Sequence, residues 1–149
     1  MNWSYIAGFF DGEGSISPNQ GGFRISIPQT HEQVLNQIRN FTKVGFVIRI
    51  KKRQIHWKDA WLYYIASKKD VLYFLKQVSP NLTVKKELSI KTIKLLEKQL
   101  VSLQEKQKIH DQRKSLAKKL RSKGWSYRKI GKELKIDWGY TRRLILDLV

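Results

Sequence analysis

The chain opens with a short segment, residues 3–11, that is nearly all apolar, with Asn2 or Ser4 placed to cap a helix. Gly12 and Gly14 predict its end. Residues 15–17 and 23–28 then read as two short strands, joined by the turn signal Pro18-Asn19-Gln20-Gly21-Gly22. Thr30 and Gln33 have the spacing of a capping box, and Val34, Leu35, Ile38 and Phe41 follow at helical spacing. Gly45 begins a second β region, in which Phe46, Ile48 and Ile50 alternate with Val47, Arg49 and Lys51. Residues 61–66 read as its hairpin partner. A helix over 70–78 carries Val71, Leu72, Leu75 and Val78, and Pro80 stops it. A longer helix from 82 to about 103 has Val84, Leu88, Leu96, Leu100 and Leu103 as its apolar stripe. The order αββαββα, with further helix after it, predicts an α+β layer with one sheet face covered.

Strand alternation assigns the faces of that sheet. In the first hairpin Phe23, Ile25 and Ile27 lie on one side and Arg24, Ser26 and Pro28 on the other. In the second, Phe46, Ile48 and Ile50 are expected on the core side, with Arg49, Lys51 and Arg53 facing outward. A twisted ribbon carrying Arg and Lys fits the major groove of DNA. A half-solvated sheet face explains the same pattern equally well.

Charge shifts that balance. The 149 residues hold 30 Lys and Arg against 12 Asp and Glu, a net charge of +18. Residues 1–50 are nearly neutral, and the excess begins at Lys51-Lys52-Arg53 and thickens after Leu100, where 14 of the 30 basic residues lie. The partner implied is a polyanion, and nucleic acid is favoured over an anionic membrane because no strong membrane-surface helix stands out. With 41% hydrophobic residues, the chain is not a disordered basic tail. No cysteine is present, which excludes disulfide scaffolds, cysteine nucleophiles and cysteine-based zinc sites. No apolar run approaches the roughly 18 residues of a membrane span. The first residues lack a basic region and carry an early acid, so no targeting signal is expected, and the expected location is the cytoplasm or an organelle.

The segment Ile6-Ala7-Gly8-Phe9-Phe10-Asp11-Gly12-Glu13-Gly14 resembles the motif of the single-motif LAGLIDADG homing endonucleases. Phe9 and Phe10 replace aliphatic residues, Gly12 replaces Ala and Glu13 the second Asp. The resemblance extends over roughly residues 3–100, since the family core has the same αββαββα order. It implies a core over 1–103 followed by an extension over 104–149. The spacing supports it independently. Gly8 and Gly12 fall on one helix face with Ala7 beside them, and small residues let two helices approach closely. Trp3, Ile6 and Phe10 are left for the core. Only one copy of the motif is present, so the partner helix is expected from a second subunit, giving a homodimer with Ala7, Gly8, Asp11 and Gly12 at its interface.

The resemblance assigns chemistry to the helix end. Asp11 fixes the end and its turn, and two Glu13 carboxylates would meet near the two-fold axis. Bare carboxylates repel there, and divalent cations relieve the repulsion. Glu13, the Gly12 carbonyl and DNA phosphates make a hard oxygen site suited to Mg2+ or Mn2+. Gln29 matches the family's polar residue at a strand end. Lys85, with Lys86 as its near neighbour, matches the start of the last core helix and would steady charge or orient water. DNA contacts are expected from Ser15, Ser17, Arg24, Ser26, Arg49, Lys51 and Arg53. The implied activity is a double-strand break in a long, nearly palindromic DNA site.

Residues 124–144 resemble a helix-turn-helix. Ile130-Gly131 fits the tight contact of the first helix, Asp137 caps the second, and Leu144 returns to the core. The glycine usual in the turn is Lys135. Tyr140, Arg142 and Arg143, with Trp138 and Thr141, would lie on or beside the recognition helix. Leu116 and Leu120 would belong to a supporting helix, and residues 101–113 are linker or helix. A small helical cap or a protein-binding bundle is the plainer alternative. For the whole chain two others stay open: a DNA-binding regulator that does not cut, which the acid Glu13 argues against, and a maturase acting on the RNA of a host intron.

Overall fold

Helix α1 (Trp3–Glu13) starts where the Asn2 side chain accepts the Tyr5 N–H at 2.9 Å. It continues through Gly12, contrary to the expected end near 11, and stops at Gly14, whose N–H donates to the Phe10 carbonyl at 2.9 Å. Gly12 is exposed and breaks no packing. A Cβ on Gly14 would come within 2.0 Å of the Phe10 ring, so only glycine lets the chain turn this closely into the sheet.

Strands β1 (Ser15–Asn19) and β2 (Gly22–Gln29) pair through a two-residue turn, with Gly21 at φ +106. Helix α2 (Glu32–Thr42), strands β3 (Phe46–Ile50) and β4 (Ala60–Ile65), helix α3 (Lys68–Val78), a 3-10 turn at Ser79–Asn81 and helix α4 (Lys86–Ser122) follow. The sheet is antiparallel throughout, in the order β1-β2-β4-β3. This is the αββαββα, α+β order expected. His31, rather than Thr30, precedes α2 and makes no side-chain cap. The Gln29 side chain instead takes the Thr30 N–H, so the capping box does not form.

The computed structural model describes residues 1–52, 54, 56 and 58–148, so Arg53 lies outside the described residues. The chain divides into two units, Met1–Leu100 and Val101–Val149, and the boundary falls in sequence inside the range of α4. Residues 101–113 are therefore helix. Among the described residues no helix is long and apolar enough to cross a membrane.

The core of the first unit lies between one sheet face and the helices. Ile6 and Phe10 of α1, Ile25 and Ile27 of β2, Tyr63 and Ile65 of β4 and Phe74 and Leu75 of α3 are all buried in it. Edge-to-face rings tie α1 to its neighbours, with Phe10 5.4 Å from Phe74 and Trp3 5.3 Å from Phe41. Tyr63 is fully buried, yet its hydroxyl donates to the Val44 carbonyl and shares a hydrogen bond with Thr42, both at 2.9 Å. Burial pushes that phenol up to about 12, so it stays neutral.

Two stripes differ from expectation. Along α4 the buried positions of the first unit are Ser89, Thr92 and Leu96, while Val84 precedes the helix at 79% exposure and Leu88 is exposed. Small polar side chains let the helix lie close to the core, a pattern that apolar periodicity cannot register. In β3, Val47 packs against the core, whereas Phe46, Ile48 and Ile50 are exposed. The two faces of this strand are thus the reverse of those expected.

In the second unit, the end of α4, helix α5 (Tyr127–Leu134) and helix α6 (Trp138–Ile145) surround Ala117, Ile130 and Leu144. Leu120 joins them, but Leu116 is exposed, one position off the buried stripe. Ser126 caps α5, and Asp137 caps α6 by accepting the N–H groups of Gly139 and Tyr140. Lys135 takes the left-handed conformation, at φ 53, where the motif usually has glycine. A Cβ on Gly131 would lie 2.8 Å from the Ile136 carbonyl oxygen, which explains that glycine beneath the turn.

Candidate functional site

The end of α1 gathers the charged groups singled out from the sequence. A helix leaves its last four carbonyls without intrahelical donors and carries partial negative charge there. The Gly14 N–H takes the Phe10 carbonyl, and the Lys85 ammonium donates to that of Asp11. The Asp11 carboxylate reaches the other way. It accepts the N–H groups of Thr83 at 2.6 Å, Val84 at 2.9 Å and Lys85 at 2.8 Å. The three residues leading into α4 are thus held by a carboxylate more than seventy positions earlier. Partial burial pushes the Asp11 carboxyl up, but these backbone donors and the Lys85 charge outweigh it and hold it below the ordinary 3.8.

Glu13 is the last residue of α1 and is exposed. Among the described residues no ion pair uses its carboxylate. Lys85 lies against the carbonyl two residues before it, so the structure brings these two candidates to one helix end. Among the described residues no hydrogen bond joins Gln29 to either of them. It lies at the end of β2, three residues past Ser26, and its Oε1 accepts from the Thr30 N–H at 2.8 Å. Among the described residues no cluster of three His, Asp or Glu side chains could hold a metal. The donors present, a free carboxylate and the carbonyls of Gly12 and Glu13, are hard oxygens that fit Mg2+ as part of a set, not as a complete shell.

The outward face of α1 carries Tyr5, Gly8 and Gly12. A Cβ at either glycine would meet nothing within 4 Å, so the helix presents a smooth, open stripe. Ala7 is not part of it. It is fully buried with Ile6 and Phe10 in the chain's own core, which corrects its expected place at an interface. Asp11 faces the start of α4.

The open sheet face begins directly after Glu13. Ser15, Ser17, Arg24 and Ser26 share it, with Ser15 and Ser26 hydroxyls hydrogen-bonded at 2.8 Å. Arg49 does not. It has the parity of Val47 and pairs with Asp59 at 2.6 Å, which Lys52 also approaches at 3.3 Å. Lys51 is exposed beyond the end of β3. The residues of β3 and β4 that do share the open face are Phe46, Ile48 and Ile50 opposite Tyr64, Leu62 and Ala60. The sequence pattern offered Phe46, Ile48 and Ile50 as core.

In the second unit, Trp138, Arg142 and Arg143 are exposed on α6. Tyr140 is half-buried against the unit's core, with its hydroxyl 3.2 Å from Nδ1 of His110. Asp147 pairs with Lys114 at 2.7 Å and Lys118 at 2.8 Å, and these cations lower its carboxyl to about 2.

A family model described as "LAGLIDADG-like domain" matches residues 2–79, ending before Lys85. No curated protein matches the sequence. Several solved homing endonucleases share the fold. I-CvuI in complex with its target is 14% identical, with a TM-score of 0.56 over 98% of this chain and 93% of that one. The archaeal intron-encoded I-Vdi141I complexed with DNA is 19% identical, with a TM-score of 0.54 over 97% and 94%. I-TnaI is 20% identical, with a TM-score of 0.50 over 100% and 99%.

Proposed function

The chain belongs to the LAGLIDADG-like domain family, and from that premise we propose that it is a site-specific DNA endonuclease acting as a homodimer. The observation that carries this reading is the end of α1, where an exposed Glu13 terminates a helix whose outer face is open at Gly8 and Gly12. Two copies pairing through that stripe bring two Glu13 carboxylates together and give each DNA strand one. A chain kept only for binding has no use for acids whose repulsion must be offset next to a polyanion.

Each chain supplies specific groups to the reaction. Glu13 and the Gly12 carbonyl would hold a divalent cation, with phosphate oxygens completing the set. When bound, Mg2+ or Mn2+ supplies positive charge to the scissile phosphate and lowers the pKa of water. Lys85, fixed on the Asp11 carbonyl, presents an ammonium beside the helix end, where it stabilises negative charge building on the phosphate. Gln29 orients water from the strand end. Asp11 positions rather than reacts, because its oxygens are occupied by the start of α4. Ser15, Ser17, Arg24 and Ser26 lie along the major groove of each half-site.

The second unit adds a helix-turn-helix. Arg142 and Arg143 on α6 would anchor it to phosphates and lengthen the recognised site. The test is cleavage of a randomised duplex library by the full chain with Mg2+, followed by sequencing of the cut ends. One long, nearly palindromic motif is expected. Ends scattered without a motif, or no ends at all, would refute the reading.

A further inference from the structure

The open sheet face is divided chemically across its width. Serines and Arg24 occupy the β1–β2 side, and apolar side chains the β4–β3 side. Phe46, Ile48 and Ile50 are 47%, 44% and 39% exposed, and the Phe46 ring lies 5.2 Å from that of Tyr64 across the strand pair. An apolar edge strand left in water invites aggregation, so this surface needs an occupant.

Its surroundings identify one. The patch is continuous, on one face of one sheet, with the polar residues that follow Glu13. β3 leads directly into Lys51 and Lys52, and the whole chain carries +18. A polyanion neutralises Lys51 and the Arg24 of the same open face, whereas an apolar protein surface would leave them facing low-dielectric material. Among the base edges exposed in the major groove of DNA, the apolar group is the C5-methyl of thymine. Strands β1 and β3 are three strand spacings apart, about 14 Å, so the two sides of the face cover different base pairs.

We infer that Phe46, Ile48 and Leu62 read thymine methyl groups, so that each half-site carries thymines under β3–β4 and hydrogen-bonded bases under β1–β2. This rests on the DNA-cleaving reading and deepens it by naming a chemical feature of the substrate. 5-Methylcytosine presents the same methyl at the same groove position and serves as its surrogate.

The experiment begins with duplexes selected by binding to the full-length protein. Each thymine of the selected site is then replaced by deoxyuridine, which removes the methyl and keeps every hydrogen-bonding group. Affinity is followed by fluorescence anisotropy for the wild type and for Ile48→Ser. At a cluster of thymines in each half-site, the wild type should weaken about fourfold per methyl, the factor for one methyl-sized group returned to water. Ile48→Ser should lose that sensitivity at one of those thymines and keep it at the others. A specific site that is indifferent to deoxyuridine throughout would overturn the inference and leave the DNA-cleaving reading standing. Selection that yields no site would overturn both. Self-association abolished by Ile48→Ser, with deoxyuridine indifference, would assign the face to a second copy and refute DNA as its occupant.

Discussion

Asp11 and Lys85 hold each other at both ends: the Asp11 carboxylate accepts the Lys85 N–H at 2.8 Å, and the Lys85 ammonium returns to the Asp11 carbonyl. The pair joins the end of α1 to the start of α4. It fixes the group that would steady the phosphate against the helix that ends in Glu13.

Asp11→Ala should therefore lower stability by about 1–3 kcal/mol, the loss expected when backbone hydrogen bonds to a charged group are removed. The loss should depend on pH. The folded-state carboxyl lies below its unfolded value of 3.8. Its contribution is thus complete above that value and disappears as pH falls through the lower folded one. Thermal unfolding of both proteins at neutral pH and at about pH 3 reads this, and the gap should narrow in acid. A gap of constant size would mean that the carboxylate charge is not what holds the segment leading into α4.

Gly8→Leu should leave the protomer folded, because nothing lies within 4 Å of the new Cβ. Helix propensity alone predicts a gain of up to about 1 kcal/mol. The bulk should nevertheless block a second α1 from approaching. Light scattering should report a dimer for the wild type and a monomer for the variant, together with loss of double-strand cleavage. A variant that remains dimeric would place the two-fold contact elsewhere.

Gly14→Ala should behave in the opposite way. Its Cβ would come within 2.0 Å of the buried Phe10 ring. A loss of about 1–3 kcal/mol is expected from forcing that ring aside. Denaturant unfolding measures it, and an unchanged midpoint would show that the turn after α1 relaxes without strain.

Replacing Arg142 and Arg143 together with alanine should weaken DNA binding and reduce its dependence on salt. Both are exposed on α6. Each lost phosphate contact lowers the slope of log affinity against log salt by about 0.9. Binding measured across a salt series should show a slope smaller by up to two such steps. An unchanged slope would make the second unit structural.

The motif carried most of what could be read in advance. Asp11 and Glu13 were legible only through the resemblance of the motif, whereas the open Gly8 and Gly12 stripe follows from local spacing, because a short helix shows its faces directly. The sheet was harder. β4 is apolar at every position, so alternation cannot tell which of its faces is covered; Tyr63 and Ile65 turn inward, and that parity forces Val47 inward and Phe46 outward. In α4 the buried positions include Ser89 and Thr92, which a search for apolar residues passes over. Ala7 reads as a small interface residue only until Ile6 and Phe10 are seen packed around it. The helix-turn-helix was legible through Asp137 and Gly131, but the hydrogen bond between Tyr140 and His110 joins positions thirty residues apart that no local pattern connects.

The most direct test of the central claim is Glu13→Gln, a change of nearly equal shape at an exposed helix end. Cleavage of the selected site with Mg2+ and affinity for the same duplex should be measured on one preparation. The account predicts that cleavage is abolished while specific affinity stays near that of the wild type. Cleavage that survives at the wild-type rate would contradict it.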